Sequence, residues 1–179
     1  HALNIKKNAT SSIGSYSLFL VFEIQQNIRL ILQLKKEIDI LDKKIVEIMK
    51  IVPTPILSIP GISFTLASSI IAEIGDIHKF ESPAKLLAFA GLEPSTNQSG
   101  DSISNTNARM VKRGSTYLRW AIMNAARLVA TKDHTFTLFL AKKRAEGKPF
   151  FVALSHVAKK LLRVIFHLLK TKQIFIPQS

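Results

Sequence analysis

Residues 91–127, GLEPSTNQSGDSISNTNARMVKRGSTYLRWAIMNAAR, join a polar loop to an apolar helix, and the rest of the chain is organised around them. Residues 94–108 are rich in Ser, Thr, Asn and Gly, which favours turns over helices and strands. Basic residues follow, and the apolar pattern of 117–130 predicts a helix. A Ser-Gly pair, Ser99 and Gly100, therefore lies close in sequence to cations and to a helix N-terminus.

This arrangement suits phosphate chemistry. Cations and helix N-termini attract phosphate, and a hydroxyl among them can attack a phosphodiester once a base removes its proton. The alternative is an ordinary surface loop in which the hydroxyls Ser95, Ser99, Ser102 and Ser104 have no catalytic part. The candidate phosphate ligands, assigned from charge and position only, are Arg109, Lys112, Arg113 and Arg119.

The charge of the chain is concentrated in its second half. The net charge is +13 over 179 residues. Residues 1–100 hold 10 Lys/Arg and 9 Asp/Glu, a net of +1, whereas residues 101–179 hold 15 and 3, a net of +12. A basic half of this kind predicts a polyanionic partner, either nucleic acid or an anionic membrane surface.

Several chemistries are disfavoured by composition. The absence of cysteine excludes disulfides and thiolate metal sites and is compatible with a reducing, cytoplasmic location. The longest apolar runs are too short to span a bilayer, so we expect no membrane segment. The five histidines and the carboxylates show no metal-ligand spacing, so we expect no metal site and no cofactor in this chain.

The longest periodic stretch is 18–52. Its apolar residues recur in alternating steps of four and three, the spacing of a coiled-coil seam, with Asn27 in one slot as a register-setting residue. We expect a long helix that self-associates; the alternative is an amphipathic helix folded back on its own domain. The helix should end at Pro53. The seam residues are Leu20, Ile24, Ile31, Leu34, Ile38, Leu41, Ile45, Ile48 and Val52.

The remaining segments also predict helices, so the fold class is mostly α: a long N-terminal helix followed by a compact helical bundle. Residues 56–80 resemble a helix-hairpin-helix, in which the Pro60-Gly61 turn would contact a DNA phosphate; a core helical hairpin without DNA contact is the alternative. Ser82 and Pro83 open a short helix that Gly91 ends and that we expect to bury Leu86, Leu87 and Phe89. The predicted parts are a flexible lead-in over 1–17, the coiled-coil helix over 18–52 and the bundle over 53–179.

Four motifs in order carry a family resemblance: IPGISFTLASSIIAEIGDIHKFESPAKLLAFAGLEPS, QSG, VKRGSTYLRWAIMNAA and GKPFFVALSHVAKKLLRVIFHLLK. Residues 56–170 thereby resemble the C-terminal transposase domain of the insertion-sequence 110/116/902 family. The resemblance implies that Ser99 is the nucleophile of a DNA recombinase and forms a phosphoserine link, with Gly100 allowing close backbone approach. It also implies DNA and a guide RNA as partners.

The same resemblance implies that the acidic, Mg2+-binding part of the active site lies in a nuclease-like domain upstream of His1, so the chain alone should not cleave DNA. Two positions depart from the family pattern: Asp101 stands where a second glycine is common, and Ser115 where asparagine is common. The rival interpretations are a dimerising, non-catalytic nucleic-acid-binding module or inactive transposase remnant, and a structural protein built on the coiled coil.

Overall fold

A computed structural model describes residues 2–10, 17–93 and 113–177. These residues form seven α-helices and two 3-10 turns, Pro55–Ser58 and Ile77–Lys79, and none of them lies in a β-strand. The mostly α fold class is therefore confirmed. The helices are α1 (Ala2–Thr10), α2 (Leu18–Ile51), α3 (Phe64–Ile74), α4 (Pro83–Phe89), α5 (Thr116–Lys132), α6 (His134–Ala145) and α7 (Phe150–Thr171).

The chain divides into two compact units, His1–Lys43 and Lys44–Ser179, and the division falls within α2. In the first unit, α1 occupies much of the stretch that the sequence predicts as a flexible lead-in; its Ala, Leu and Lys residues have high helix propensity. The predicted long helix is present as α2 and stops before Pro53, which lacks the N–H that a helix interior needs. Most seam residues of α2 are exposed, Ile31 by 62%, whereas Ile45 packs against the core of the second unit. The coiled-coil pairing stays a prediction.

The second unit is built around α5 and α7. Helix α5 packs against α3, α6 and α7, and α4 packs against α7. The inward face of α5 is lined with small side chains, Ala121, Ala125 and Ala126, which are fully buried and let neighbouring helices approach closely. The inward face of α7 carries buried Leu161 and Ile165. One continuous apolar core results, and the last turns of α2 join it through Ile45 and Met49.

The segment predicted as a helix-hairpin-helix differs from that motif on its first side. The chain before the Pro60-Gly61 turn forms only the 3-10 turn Pro55–Ser58, whereas α3 follows with Ser63 as its N-cap. Gly61 has φ +94°, and a Cβ there would lie 3.0 Å from the backbone carbonyl of Leu128 on α5. The turn therefore has a packing role within the bundle. The helix-hairpin-helix assignment is not confirmed, and the DNA contact of Pro60 and Gly61 stays a prediction.

Helix α4 follows the sequence prediction closely. Ser82 caps it by accepting a hydrogen bond from the backbone N–H of Lys85, and Pro83 occupies its first turn. Gly91 ends it with φ +64°. Leu86 is buried as the pattern predicts. Phe89, expected to be buried, is instead exposed at the surface, where its ring lies 5.4 Å from that of Phe80.

Candidate nucleic-acid interface at the base of segment 94–112

The predicted site residues divide into two groups. Ser99, Gly100, Arg109 and Lys112 lie outside the described residues. Arg113 and Arg119 are described. Glu93 and Arg113 are the described residues directly before and after segment 94–112. We call residues 94–112 the serine segment. The described residues on either side of it, at the end of α4 and the start of α5, form what we call its base.

The base is closed by backbone contacts between α4 and α5. The N–H of Ser115 donates a 2.7 Å hydrogen bond to the carbonyl oxygen of Phe89. Gly114 has φ +111°, and a Cβ on it would lie 2.1 Å from that same carbonyl oxygen. Only glycine fits here, because the returning chain crosses directly over the end of α4. The chain at Gly114 and Ser115, just after segment 94–112, is thus held against the end of α4.

Ser115 joins the base to a third helix. Its Oγ accepts a 2.9 Å hydrogen bond from the N–H of Leu118, so it caps α5, and donates a 2.6 Å hydrogen bond to Oε2 of Glu73 on α3. One hydroxyl therefore ties α3 and α5 together where α4 also meets them. The sequence shows the cap, since serine before an apolar helix is a start signal. It gives no sign of Glu73, which lies 42 residues away.

Arg119 lies in the same region, one turn into α5. Its Nη1 donates a 3.2 Å hydrogen bond to the carbonyl oxygen of Ala90, at the end of α4. This contact gives Arg119 a bracing role at the base. Arg113 is exposed where the serine segment returns. Phosphate binding by either side chain stays a prediction.

A basic face on α7 lies near this base. Its members recur at steps of three and four, which places them on one side of the helix over roughly 21 Å, at about 1.5 Å per residue. The buried side of α7 lies opposite. Burial and the nearby Arg163 lower the pKa of Lys159, whereas Glu93 opposes them, so Lys159 lies within electrostatic range of the base. The basic face comprises His156, Lys159, Lys160, Arg163, His167 and Lys170.

The end of α6 extends this positive charge. Burial lowers the pKa of His156, and the charges of Lys159, Lys143 and Lys148 lower it further. Glu146 opposes that effect, and its carboxylate pairs with both Lys143, at 2.8 Å, and Lys148. These hydrogen bonds lower the pKa of Glu146 to about 2. Glu146 is the single acidic residue after Asp133, so the surface stays strongly positive.

One member of the basic face is fixed by aromatic rings. The Lys160 ammonium lies 4.9 Å from the ring centroid of Phe139 and 5.2 Å from that of Phe136. Such cation–π contacts hold a side chain in place without neutralising its charge.

The described residues include no group of three or more His, Asp or Glu side chains that a metal ion could share. No described helix is long and apolar enough to cross a membrane.

The close approach at Gly114 gives a stability prediction. Gly114→Ala should lower the free energy of unfolding by more than about 2 kcal/mol, since it adds a backbone clash to the cost of a left-handed φ. Gly147→Ala is the matched control: its φ is +78°, but nothing lies within 4 Å of the added Cβ. It should cost only about 1 kcal/mol. Urea unfolding followed by circular dichroism measures both, and equal losses would contradict the close approach.

A helical bundle with a strongly positive face has the features of a polyanion-binding domain. Comparison with known proteins narrows the class: residues 54–141 match the family model described as Transposase IS116/IS110/IS902 family. Residues 54–141 thus belong to that family of insertion-sequence proteins.

Individual relatives agree with the family match. The chain is 32% identical over 123 residues to an insertion element IS110 protein of Streptomyces coelicolor, covering 65% of this chain and 29% of that protein. It is 39% identical over 70 residues to the transposase for IS1111A of Coxiella burnetii, covering 39% and 19%. An IS900 protein of Mycobacterium paratuberculosis is 30% identical over 125 residues, covering 69% and 31%. The chain thus spans less than a third of these curated relatives.

Proposed function

We propose that this chain is the serine-bearing, DNA-binding part of an insertion-sequence transposase, which acts in transposition by DNA strand transfer. The observation that carries the proposal is the closed base of segment 94–112, pinned by Ser115 to α3 and α4 and flanked by the basic face of α7. A rigid base beside cations suits a loop that must present a nucleophile to a phosphodiester. The family match covers this base.

In the proposed reaction, the Oγ of Ser99 attacks a backbone phosphorus of DNA. The new Oγ–P bond forms as one P–O bond to a deoxyribose breaks; the serine proton passes to a base, and the departing sugar oxygen takes up a proton. The phosphoserine link conserves the phosphodiester energy, so a sugar hydroxyl from a second strand can reverse the step and join the strands. Arg109, Lys112, Arg113 and Arg119 would stabilise the charge on the phosphoryl oxygens.

The remaining components would come from the rest of the protein and its assembly. By the family resemblance, Mg2+ would be held by carboxylates outside this chain; the described residues offer no such cluster. A guide RNA would choose the DNA partner. The 179-residue chain would then bind DNA without cutting it.

Trapping the covalent intermediate tests the proposal. The natural full-length protein is mixed with end-labelled element DNA, denatured and digested, and the DNA-linked peptide is identified by mass spectrometry. A peptide linked at Ser99 supports the mechanism. Recombination that proceeds with no serine-linked DNA would contradict it. DNA binding without recombination or adduct would favour the binding module or remnant, an alternative that the acidic Asp101 beside the Ser-Gly pair supports.

We also propose that α2 mediates self-association as a coiled coil. Ile31→Glu places a charge in the exposed seam and should convert the oligomer to a monomer, because a desolvated carboxylate opposes helix pairing. Lys36→Glu adds the same side chain outside the seam and should leave the mass unchanged. Light scattering after size-exclusion chromatography measures both. A monomeric wild-type chain, or an oligomer unaffected by Ile31→Glu, would contradict the pairing.

A further inference from the structure

The chain after α7 forms one wall of a groove. Lys172 adopts a left-handed conformation, with φ +57°, and ends the helix. The chain then runs back along the bundle, where the N–H of Phe175 donates a 2.7 Å hydrogen bond to Oγ of Ser58. The ring of Phe175 lies 6.4 Å from that of Phe136. Residues 173–176 are thus anchored alongside α7 by a hydrogen bond and an aromatic contact.

The groove between this wall and α7 is cationic on one side and apolar on the other. Its volume is about 530 Å³. Lys160, Arg163 and His167 line the α7 side, and the described residues that line the groove include no acidic side chain. On the opposite wall Ile174 and Ile176 are exposed by 67% and 77%. Residues 147–179 contain six Lys/Arg and no Asp/Glu, so no carboxylate in this part of the chain competes for these cations.

We propose that this groove binds one single strand of nucleic acid, with its phosphates on Arg163 and His167 and its bases against Ile174 and Ile176. The cations attract phosphate, and the exposed aliphatic side chains beside them can be buried against base faces, which a single strand exposes and a duplex hides in its stack. Lys160 contributes a positive charge already fixed by the rings of Phe136 and Phe139. The residues that line the groove include none of the residues at the base of segment 94–112.

The basic face of α7 has two edges. One edge is nearer the base of the serine segment, and the groove lies along the other. Lys159, at one edge, lies within electrostatic range of Glu93, whereas Lys160, at the other, lines the groove. Arg163 lies between them, lowers the pKa of Lys159 and also lines the groove. A strand held in the groove would therefore lie beside the DNA that the serine segment engages. The placement of the strand beside the DNA rests on the proposed function. Binding of a single strand in the groove does not depend on it.

Fluorescence anisotropy on the 179-residue chain tests the proposal with three probes of 20 nucleotides: single-stranded DNA, single-stranded RNA and a blunt DNA duplex. The variants are Arg163→Gln with His167→Gln, and Ile176→Ser. The matched control is Lys132→Gln, which removes an exposed charge from α5. Thermal unfolding confirms that each variant is folded.

The double variant should weaken single-strand binding roughly tenfold and reduce the salt slope by about 0.7, for the phosphate that Arg163 no longer neutralises. Ile176→Ser should weaken single-strand binding about threefold and leave duplex binding unchanged. A preference for RNA over DNA would support the groove and identify reading of the 2′-hydroxyl. Equal losses on single strand and duplex with Ile176→Ser, or none on either, would overturn the proposal. A missing Ser99 adduct would instead count against the proposed reaction only.

Discussion

Ser99→Ala in the natural full-length protein should reduce recombination by roughly a thousandfold or more, because alanine has no oxygen to attack phosphorus. The covalent protein–DNA adduct should disappear with it. DNA binding should change little, since the cations that attract the backbone remain. Recombination of element DNA in cells and trapping of the adduct in vitro measure the two effects.

Ser102→Ala is the matched control for Ser99→Ala. It removes a hydroxyl three residues away in the same polar segment and should leave recombination and adduct close to wild type. Unchanged recombination with Ser99→Ala would remove that hydroxyl from the mechanism. Loss of both activities in Ser102→Ala, with Ser99→Ala active, would move the nucleophile along the segment and contradict the assignment from the Ser-Gly pair.

The helices of this protein are largely readable from its sequence because they depend on local signals. The apolar period and the proline at 53 define α2, and Ser82, Pro83 and Gly91 bracket α4. The prediction was weaker where tertiary packing decides. Apolar residues before the Pro60-Gly61 turn gave no sign that they would form a four-residue 3-10 turn, or that the turn would pack against α5.

The candidate site was less predictable than the fold because its contacts join distant parts of the chain. Arg119 was singled out for its charge, but no local pattern indicates its hydrogen bond to Ala90, 29 residues away. Lys159 and Glu93 are 66 residues apart, and only the packing of α4 against α7 brings them near each other. A basic second half could be counted from composition; its arrangement as one face beside a loop base required the fold.

Ser115→Ala should lower the free energy of unfolding by about 2.5–4 kcal/mol. It removes the N-cap of α5, worth about 1 kcal/mol, and leaves the half-buried carboxylate of Glu73 without the 2.6 Å hydrogen bond, worth about 1.5–3 kcal/mol when a charged group is involved. The loosened base should also slow recombination at least tenfold, because the serine segment would be positioned less precisely. Urea unfolding and recombination assays measure the two consequences.

Ser82→Ala measures the contribution of a helix N-cap alone, so it separates the cap of Ser115 from its hydrogen bond to Glu73. Ser82 caps α4 through the N–H of Lys85 at 3.4 Å and has no bond to a carboxylate. Its loss should therefore cost about 1 kcal/mol, the value of a cap alone, and leave recombination unaffected at temperatures where the protein stays folded. Glu73→Gln offers a second comparison, because its amide oxygen can still accept the hydroxyl of Ser115. If Ser115→Ala cost no more than Ser82→Ala, the hydrogen bond to Glu73 would contribute no stability. The base would then be held by the backbone bond between Ser115 and Phe89 and by the hydrogen bond from Arg119 to Ala90.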